Sequence, residues 1–383
     1  MSKLFCYVLL TLLIASTAFA QTTHYVITND DVHSANTATF YALGGTLSNP
    51  TLTQLAVVPT GGKGHDSGYF AASGVNLLRD PQGQCIYIAD SDTNDVAGMV
   101  LGTQQVTGNF KGSRLDSGGL VGIGMTMNDQ YLYVSYTGTY TVATFQVLPG
   151  CQLKFLKDID AVGRGLGTVD GMAIRNNLLV VAYADSTIES FDISAGVPVP
   201  NGDTQLSTGS INGNLPAGVD ITRDGHFAIF GDTSGATTIE VSDISSGKLA
   251  PTVVYTIASA ADSNDVYLSP DETMLYISNN RGGTVTAAFF DKTTGVVSPG
   301  CTSNTLRGFN TRWNWTAGIA TAMNTGTGQL LYVAEQGQKS SIALVKIAVN
   351  GGTCSLRELP TSPIPDVNSH ALRSFQTYPP RAF

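Results

Sequence analysis

The strongest constraint in this 383-residue chain is an internal repeat. Seven segments share one pattern: an alternating apolar strand, a polar turn and a second alternating strand. They read HYVITNDDVHSANTATFYAL from His24, CIYIADSDTNDVAGMVL from Cys85, YLYVSYTGTYTVATFQV from Tyr131 and LLVVAYADSTIESFDI from Leu178. FAIFGDTSGATTIEVSDI follows from Phe227, LYISNNRGGTVTAAFF from Leu275 and LYVAEQGQKSSIALVKI from Leu331. With Tyr25, Tyr87, Tyr133, Val180, Ala228, Tyr276 and Tyr332 taken as equivalent, the units lie 62, 46, 47, 48, 48 and 56 residues apart. Period-2 alternation makes each unit strand rather than helix, and the spacing is that of a propeller blade.

Each later unit is preceded by a short strand and a turn, as in GVDITRDGH and DVYLSPDET, where Asp224-Gly225 and Pro270-Asp271 supply the turn chemistry. Each is followed by a fourth strand, as in CQLKFLKDI from Cys151. The fold class is therefore all-β: a seven-bladed propeller of four-stranded antiparallel blades. The first unit lacks an inner strand, while HALRSFQTY at residues 370–378 is left over. This C-terminal strand is expected to complete the first blade and close the ring. Two independent β-sandwiches would leave the even spacing unexplained.

Lys3, the apolar run Tyr7 to Ala15 and the small-x-small site Ala18-Phe19-Ala20 predict a signal peptide over residues 1–20. The remainder, residues 21–383, is expected to be a single propeller domain, secreted or periplasmic. No later stretch approaches about 20 apolar residues, so no membrane span is expected. Charged residues are only 13% and the net charge is −9, which argues against nucleic acid as a partner. A small molecule or glycan is the expected ligand, and the protein is expected to be a monomer. Four cysteines lie beyond the leader, with Cys85 starting a second strand and Cys151, Cys301 and Cys354 each starting a fourth. Two disulfides, Cys85–Cys151 and Cys301–Cys354 between neighbouring blades, stand against buried free thiols. No CxxC spacing suggests structural zinc.

Strand direction places the blade-to-blade connections, and the loops between second and third strands, on one face around the axis. The connections offer His65, Asp66, Asn76, Asp116, Asp170, Asn264, Asp265, Trp313, Asn314, Trp315, Asn368 and His370. The loops add Asp90, Asp92, Asp185, Asp232, Arg281 and Glu335. Asp170, Asn264, Trp313, Trp315 and Glu335 are the candidate ligand-binding residues. Asp and Asn are also favoured in ordinary turns, so their convergence is a geometric expectation. Trp313 and Trp315, the only tryptophans, share one side of a strand and suit either a sugar ring or packing against the next blade. No cofactor is expected, while the axial carboxylates leave a divalent metal open. Neither a GxSxG elbow nor an HExxH helix motif occurs.

The sixth unit, SNDVYLSPDETMLYISNNRGGTVTAAFFDKTTGVVSPG from Ser263, resembles the lactonase-type propellers related to 6-phosphogluconolactonase. Their repeats run through an acidic residue, a Ser-Pro-Asp turn and Leu-Tyr-Val-Ser-Asn-Arg-Gly. LYVAEQGQKSSIALVKI is similar to that family's last repeat, and HYVITND to the Tyr-Val-Thr-Asn repeats of related surface propellers. The resemblance implies a lactone hydrolase in which Asp265 stands where the family usually has Glu, and Arg281 matches its arginine. The chain departs from the pattern at Ala217-Gly218, where such lactonases tend to carry histidine, and at Gly231-Asp232, which keeps only one residue of their Asp-Leu-Gly. Low basic content also suits a phosphorylated sugar acid poorly.

Two functions follow. In the first, a lactone or cyclic ester is opened at the axial pocket, with Asp265, His65 or His370 as base and Arg281 as electrophile. In the second, the propeller is a non-catalytic scaffold that binds a glycan or a protein.

Overall fold

A strand with apolar side chains on both of its faces must bury both, and second strands of this protein do so. Cys85–Asp90, Leu178–Tyr183 and Met274–Asn279 are buried from end to end. Such strands cannot sit in a sheet with one wet face; each must lie between two other sheets. The computed structural model describes residues 25–46, 49–66, 75–77, 85–112, 121–136, 139, 141–160, 169–183, 185–206, 216–233, 236–258, 263–280, 282–309, 316–322, 329–336, 340–369, 372 and 375–378. The expected signal segment lies outside them.

Among the described residues thirty strands form seven antiparallel sheets. Blade 1 holds β1 (Tyr25–Asn29), β2 (Thr37–Thr46) and β3 (Asn49–Pro59), and blade 2 holds β4 (Val75–Leu77), β5 (Cys85–Asp90), β6 (Asp95–Val100) and β7 (Gln105–Phe110). Blade 3 comprises β8 (Val121–Met127), β9 (Tyr131–Tyr136), β10 (Thr141–Leu148) and β11 (Gln152–Asp160). Blade 4 comprises β12 (Val169–Arg175), β13 (Leu178–Tyr183), β14 (Thr187–Asp192), β15 (Val199–Pro200) and β16 (Gln205–Leu206). Blade 5 runs through β17 (Pro216–Ile221), β18 (Phe227–Thr233), β19 (Thr237–Asp243) and β20 (Val253–Ala258). Blade 6 runs through β21 (Ser263–Leu268), β22 (Met274–Asn279), β23 (Thr284–Asp291) and β24 (Val296–Thr302). Blade 7 contains β25 (Thr316–Ala322), β26 (Gln329–Glu335), β27 (Ser341–Asn350), β28 (Thr353–Glu358) and β29 (Ile364–Pro365). The last strand, β30 (Phe375–Tyr378), is the inner strand of blade 1.

The ring closes through β30, which pairs antiparallel with β1 in the register Tyr25↔Tyr378 to Thr28↔Phe375. The innermost strands touch in the cyclic order β30, β4, β8, β12, β17, β21, β25 and back to β30. Each hydrophobic cluster lies between neighbouring blades rather than within one. Ile27, Phe40 and Ile86 join blades 1 and 2, and Tyr332, Leu344 and Val26 join blades 7 and 1. Across the seam Tyr41 donates to Asp366 (2.8 Å), while within blade 1 Thr37 and Thr39 donate to Asp30 (2.6 and 2.7 Å).

Three sequence expectations are corrected. The outer strand is broken in two blades: β15 and β16 both pair with β14, and β28 and β29 both pair with β27. In blade 4, Pro200 brings no N–H and Gly202 has a positive φ of 71°, so the ladder is interrupted there. Ala228 is not the equivalent of Tyr276. Ile229 joins the core between blades 5 and 6, whereas Ala228 faces blade 4, and one residue of slip reverses every side chain. Cys301 does not start a fourth strand, because Val296 and Val297 already begin β24.

Disulfides join Cys85 to Cys151 and Cys301 to Cys354, with Cα–Cα distances of 5.2 and 5.6 Å. Each links neighbouring blades, 2 with 3 and 6 with 7. Among the described residues no helix is long and apolar enough to cross a membrane.

Two measurements test this architecture. Deleting residues 373–383 removes the partner of β1, and Tm is expected to fall by on the order of 5 °C or more; an unchanged melt would contradict the closure. Replacing Cys85 and Cys151 together by Ala should cost about 2–4 kcal/mol in urea unfolding.

Candidate functional site

The connection leaving blade 1, Thr60 to Asp66, runs between two polar turns on the face where the second strands end. It is fastened on both sides. Gly64 donates to the Val32 carbonyl (2.8 Å) and Asp66 to that of Asp31 (3.0 Å), while Asp92 donates to the Lys63 carbonyl (3.0 Å). The approach at Gly64 is so close that a Cβ would fall 2.1 Å from the Asp31 carbonyl carbon, so only glycine fits.

This threading holds His65 against Asp92. His65 Nδ1 lies 2.6 Å from Asp92 Oδ1, and the other carboxylate oxygen meets Nδ1 of His33. A carboxylate at Nδ1 keeps the proton there and leaves the Nε2 lone pair as the basic position. The His65 ring is one-third exposed and Asp92 less so, so solvent reaches the dyad. Beneath it, Asp31 accepts the backbone N–H of His65 (2.9 Å) and the hydroxyl of Ser91 (3.3 Å). Asp31 is buried, its second oxygen has no partner, and burial pushes its carboxyl up to about 7.

Further round the ring, Asp265 is half-buried on the inner strand β21, where its N–H donates to Ser278 Oγ (3.0 Å). The strand beside it approaches closely: a Cβ on Gly218 would stand 2.6 Å from the Asp265 Cα, and the φ of Gly218 is +44°. A histidine, which the lactonase pattern favours at this point, has no room at Gly218. Asn264 is buried, with Nδ2 3.4 Å from Asn280 Oδ1.

Glu335 has a different neighbourhood from an open ligand position. It is buried, accepts the Ser341 hydroxyl (2.6 Å) and the Gly308 N–H, and burial raises its carboxyl to about 7. It occupies a position that recurs in every blade as Thr28, Asp90, Tyr136, Tyr183, Asp232, Asn279 and Glu335, all buried. Several of these side chains bond the blade before them. Asp90 accepts from Thr60 and Asn36 (both 2.7 Å), Tyr136 accepts the Gly112 N–H (3.0 Å), and Asn279 accepts from Thr237 (2.8 Å). The ring of polar strand ends fastens blade to blade.

Of the remaining candidates, His370, Arg281, Trp313 and Trp315 lie outside the described residues. Asp170 belongs to β12, but its side chain also lies outside them. Sequence reasoning named His65 and Asp92 separately and missed both their pairing and His33. Among the described residues no three or more His, Cys, Asp or Glu side chains are grouped to hold a metal ion.

The buried carboxyls give the fold a pH dependence of defined sign. Folded Asp31 and Glu335 keep a proton up to about pH 7, whereas an unfolded chain releases it near pH 4. Both groups therefore make stability fall as pH rises from about 4 to about 7, with no further loss from them above. Glu335→Gln should remove one group's share of that slope in urea titrations at pH 4.5, 6 and 7.5; an unaltered slope would refute the assignment.

Residues 123–363 match the family model described as "Lactonase, 7-bladed beta-propeller", more than half of the chain. A candidate 6-phosphogluconolactonase from Bacteroides fragilis NCTC 9343 superposes with a TM-score of 0.69 at 14% identity, covering 94% of this chain and 99% of that one. The periplasmic gluconolactonase of Pseudomonas aeruginosa superposes with a TM-score of 0.65 at 13% identity, covering 93% and 99%. A functionally unknown protein from Desulfotomaculum acetoxidans DSM 771 gives 0.64 at 15%, covering 93% and 98%. At these identities the structures speak for the fold alone. Comparison with curated protein sequences finds no match. On the matched residues and the closed ring of seven blades, the chain belongs to the lactonase family of seven-bladed β-propellers.

Proposed function

We propose that this protein hydrolyses an unphosphorylated lactone, with His65 as general base and Asp92 as the group that orients it. The observation that carries the reading is the 2.6 Å contact between His65 Nδ1 and Asp92, made on a connection locked at both sides. Family membership supports the same reaction class.

In the proposed reaction, His65 Nε2 takes a proton from water as the water oxygen bonds to the ester carbonyl carbon. The ring C–O bond then breaks, and the proton on the imidazole passes to the departing alkoxide, giving a hydroxy acid. Asp265 stands on the same face and is assigned to the substrate's hydroxyl groups. Two disulfides support residence in an oxidising compartment, so the enzyme is proposed to be exported and to act as a monomer.

Acid release from a panel of γ- and δ-lactones tests the proposal. His65→Gln should lower kcat/KM by about 10²- to 10⁴-fold, and Asp92→Asn should also lower it, by less, with no change in melting. Turnover that survives both substitutions, or is absent in the unsubstituted protein, would overturn it.

A further inference from the structure

The face opposite the dyad carries a cavity of about 550 Å³ between blades 4 and 5. Its walls are the β12–β13 and β17–β18 turns and the segment that follows β19. They are held in place by left-handed residues, with φ of 52° at Asn176, 73° at Gly225 and 79° at Gly247. They are also fastened across the blades. Asp203 accepts the Leu249 N–H (2.8 Å), Asn201 donates to the Gly247 carbonyl (3.2 Å) and Lys248 donates to that of Asn201 (2.8 Å). The cavity is thus preformed, and of a size suited to a small ligand.

Its charges are balanced. The lining holds two carboxylates, Asp192 and Asp224, and two cations, Arg175 and Lys248, and the cations donate to the Thr222 and Asn201 carbonyls (3.2 and 2.8 Å). Both carboxylates are engaged by their own turns: Asp192 accepts the Ser194 N–H (2.8 Å), and Asp224 accepts the Thr222 hydroxyl (2.7 Å) and the His226 N–H (3.0 Å). Two positive and two negative side chains leave the lining without a net charge to draw in an ion. The groups left over are neutral. The exposed side-chain amides of Asn176 and Asn177 make no hydrogen bond among the described residues, and His226, whose Nδ1 lies 3.4 Å from Asp224, has Nε2 to offer. Beneath them, buried Leu178 and Ile244 give a small apolar floor. Amides that both donate and accept, set over apolar carbon, match a ligand with hydroxyls on its rim and C–H groups on its face.

We propose that this cavity binds a neutral oligosaccharide, at a site separate from the lactonase dyad. The inference does not rest on the hydrolysis reading. Saturation-transfer NMR on the full chain with maltotriose, cellotriose and triacetylchitotriose tests it, with gluconate as the anionic control. At least one neutral trisaccharide should receive signal. Asn177→Ala combined with His226→Ala should weaken that signal at least fivefold while leaving lactone turnover and melting unchanged, and His65→Gln should leave the signal intact. Absence of signal for all three sugars, signal that persists in the double variant, loss of signal in His65→Gln, or preference for gluconate would each overturn the assignment.

Discussion

The structure depends on closing a ring whose cores lie between its members. No blade buries its second strand by itself: Tyr87, Tyr133, Tyr276 and Tyr332 are each covered by the following blade. A sheet of this kind has no stable edge until the last blade meets the first. The short ladder from Tyr25 to Thr28 against Phe375 to Tyr378 therefore supports all seven interfaces at once. The carboxyl groups of Asp30 and Asp366 sit in the same seam. Burial and the neighbouring Asp366 hold the Asp30 carboxyl well above the usual carboxylate range.

How much the amino-acid order discloses follows from what repeats. Alternation and spacing recur seven times, so blade number, strand direction and the meeting of the two chain ends could be read without coordinates. Register is least defined where the pattern is weakest. In FAIFGD no tyrosine marks the register, and the pattern does not separate Ala228 from Ile229 as the counterpart of Tyr276. The cysteine pairing follows from the neighbourhood of blades, whereas the exact place of Cys301 depends on where β24 begins, which Val296 and Val297 decide.

The site was harder to read because opposite roles draw on the same residues. Asp90 and Glu335 look like polar loop residues poised for a ligand, yet they are buried ties that hold a connection or the preceding blade. Burial separates the two roles, and burial here depends on the blade before, not on local sequence. His65 and Asp92 lie 27 residues apart with no motif between them. The one available signal was their place in the repeat: a connection and the next blade's second-to-third turn must pass each other, and His33 enters from the matching turn of blade 1.

The two disulfides bracket the seam. One splints blades 2 and 3, the other blades 6 and 7, so blade 1 stands alone between two covalently reinforced arms. Such a ring would yield like a clasp, parting at the head-to-tail joint while both arms stay whole. Because the His65 connection leaves blade 1 directly, the proposed base sits beside the hinge of that clasp, and whatever slackens the joint acts first on the face that carries His65 and Asp92.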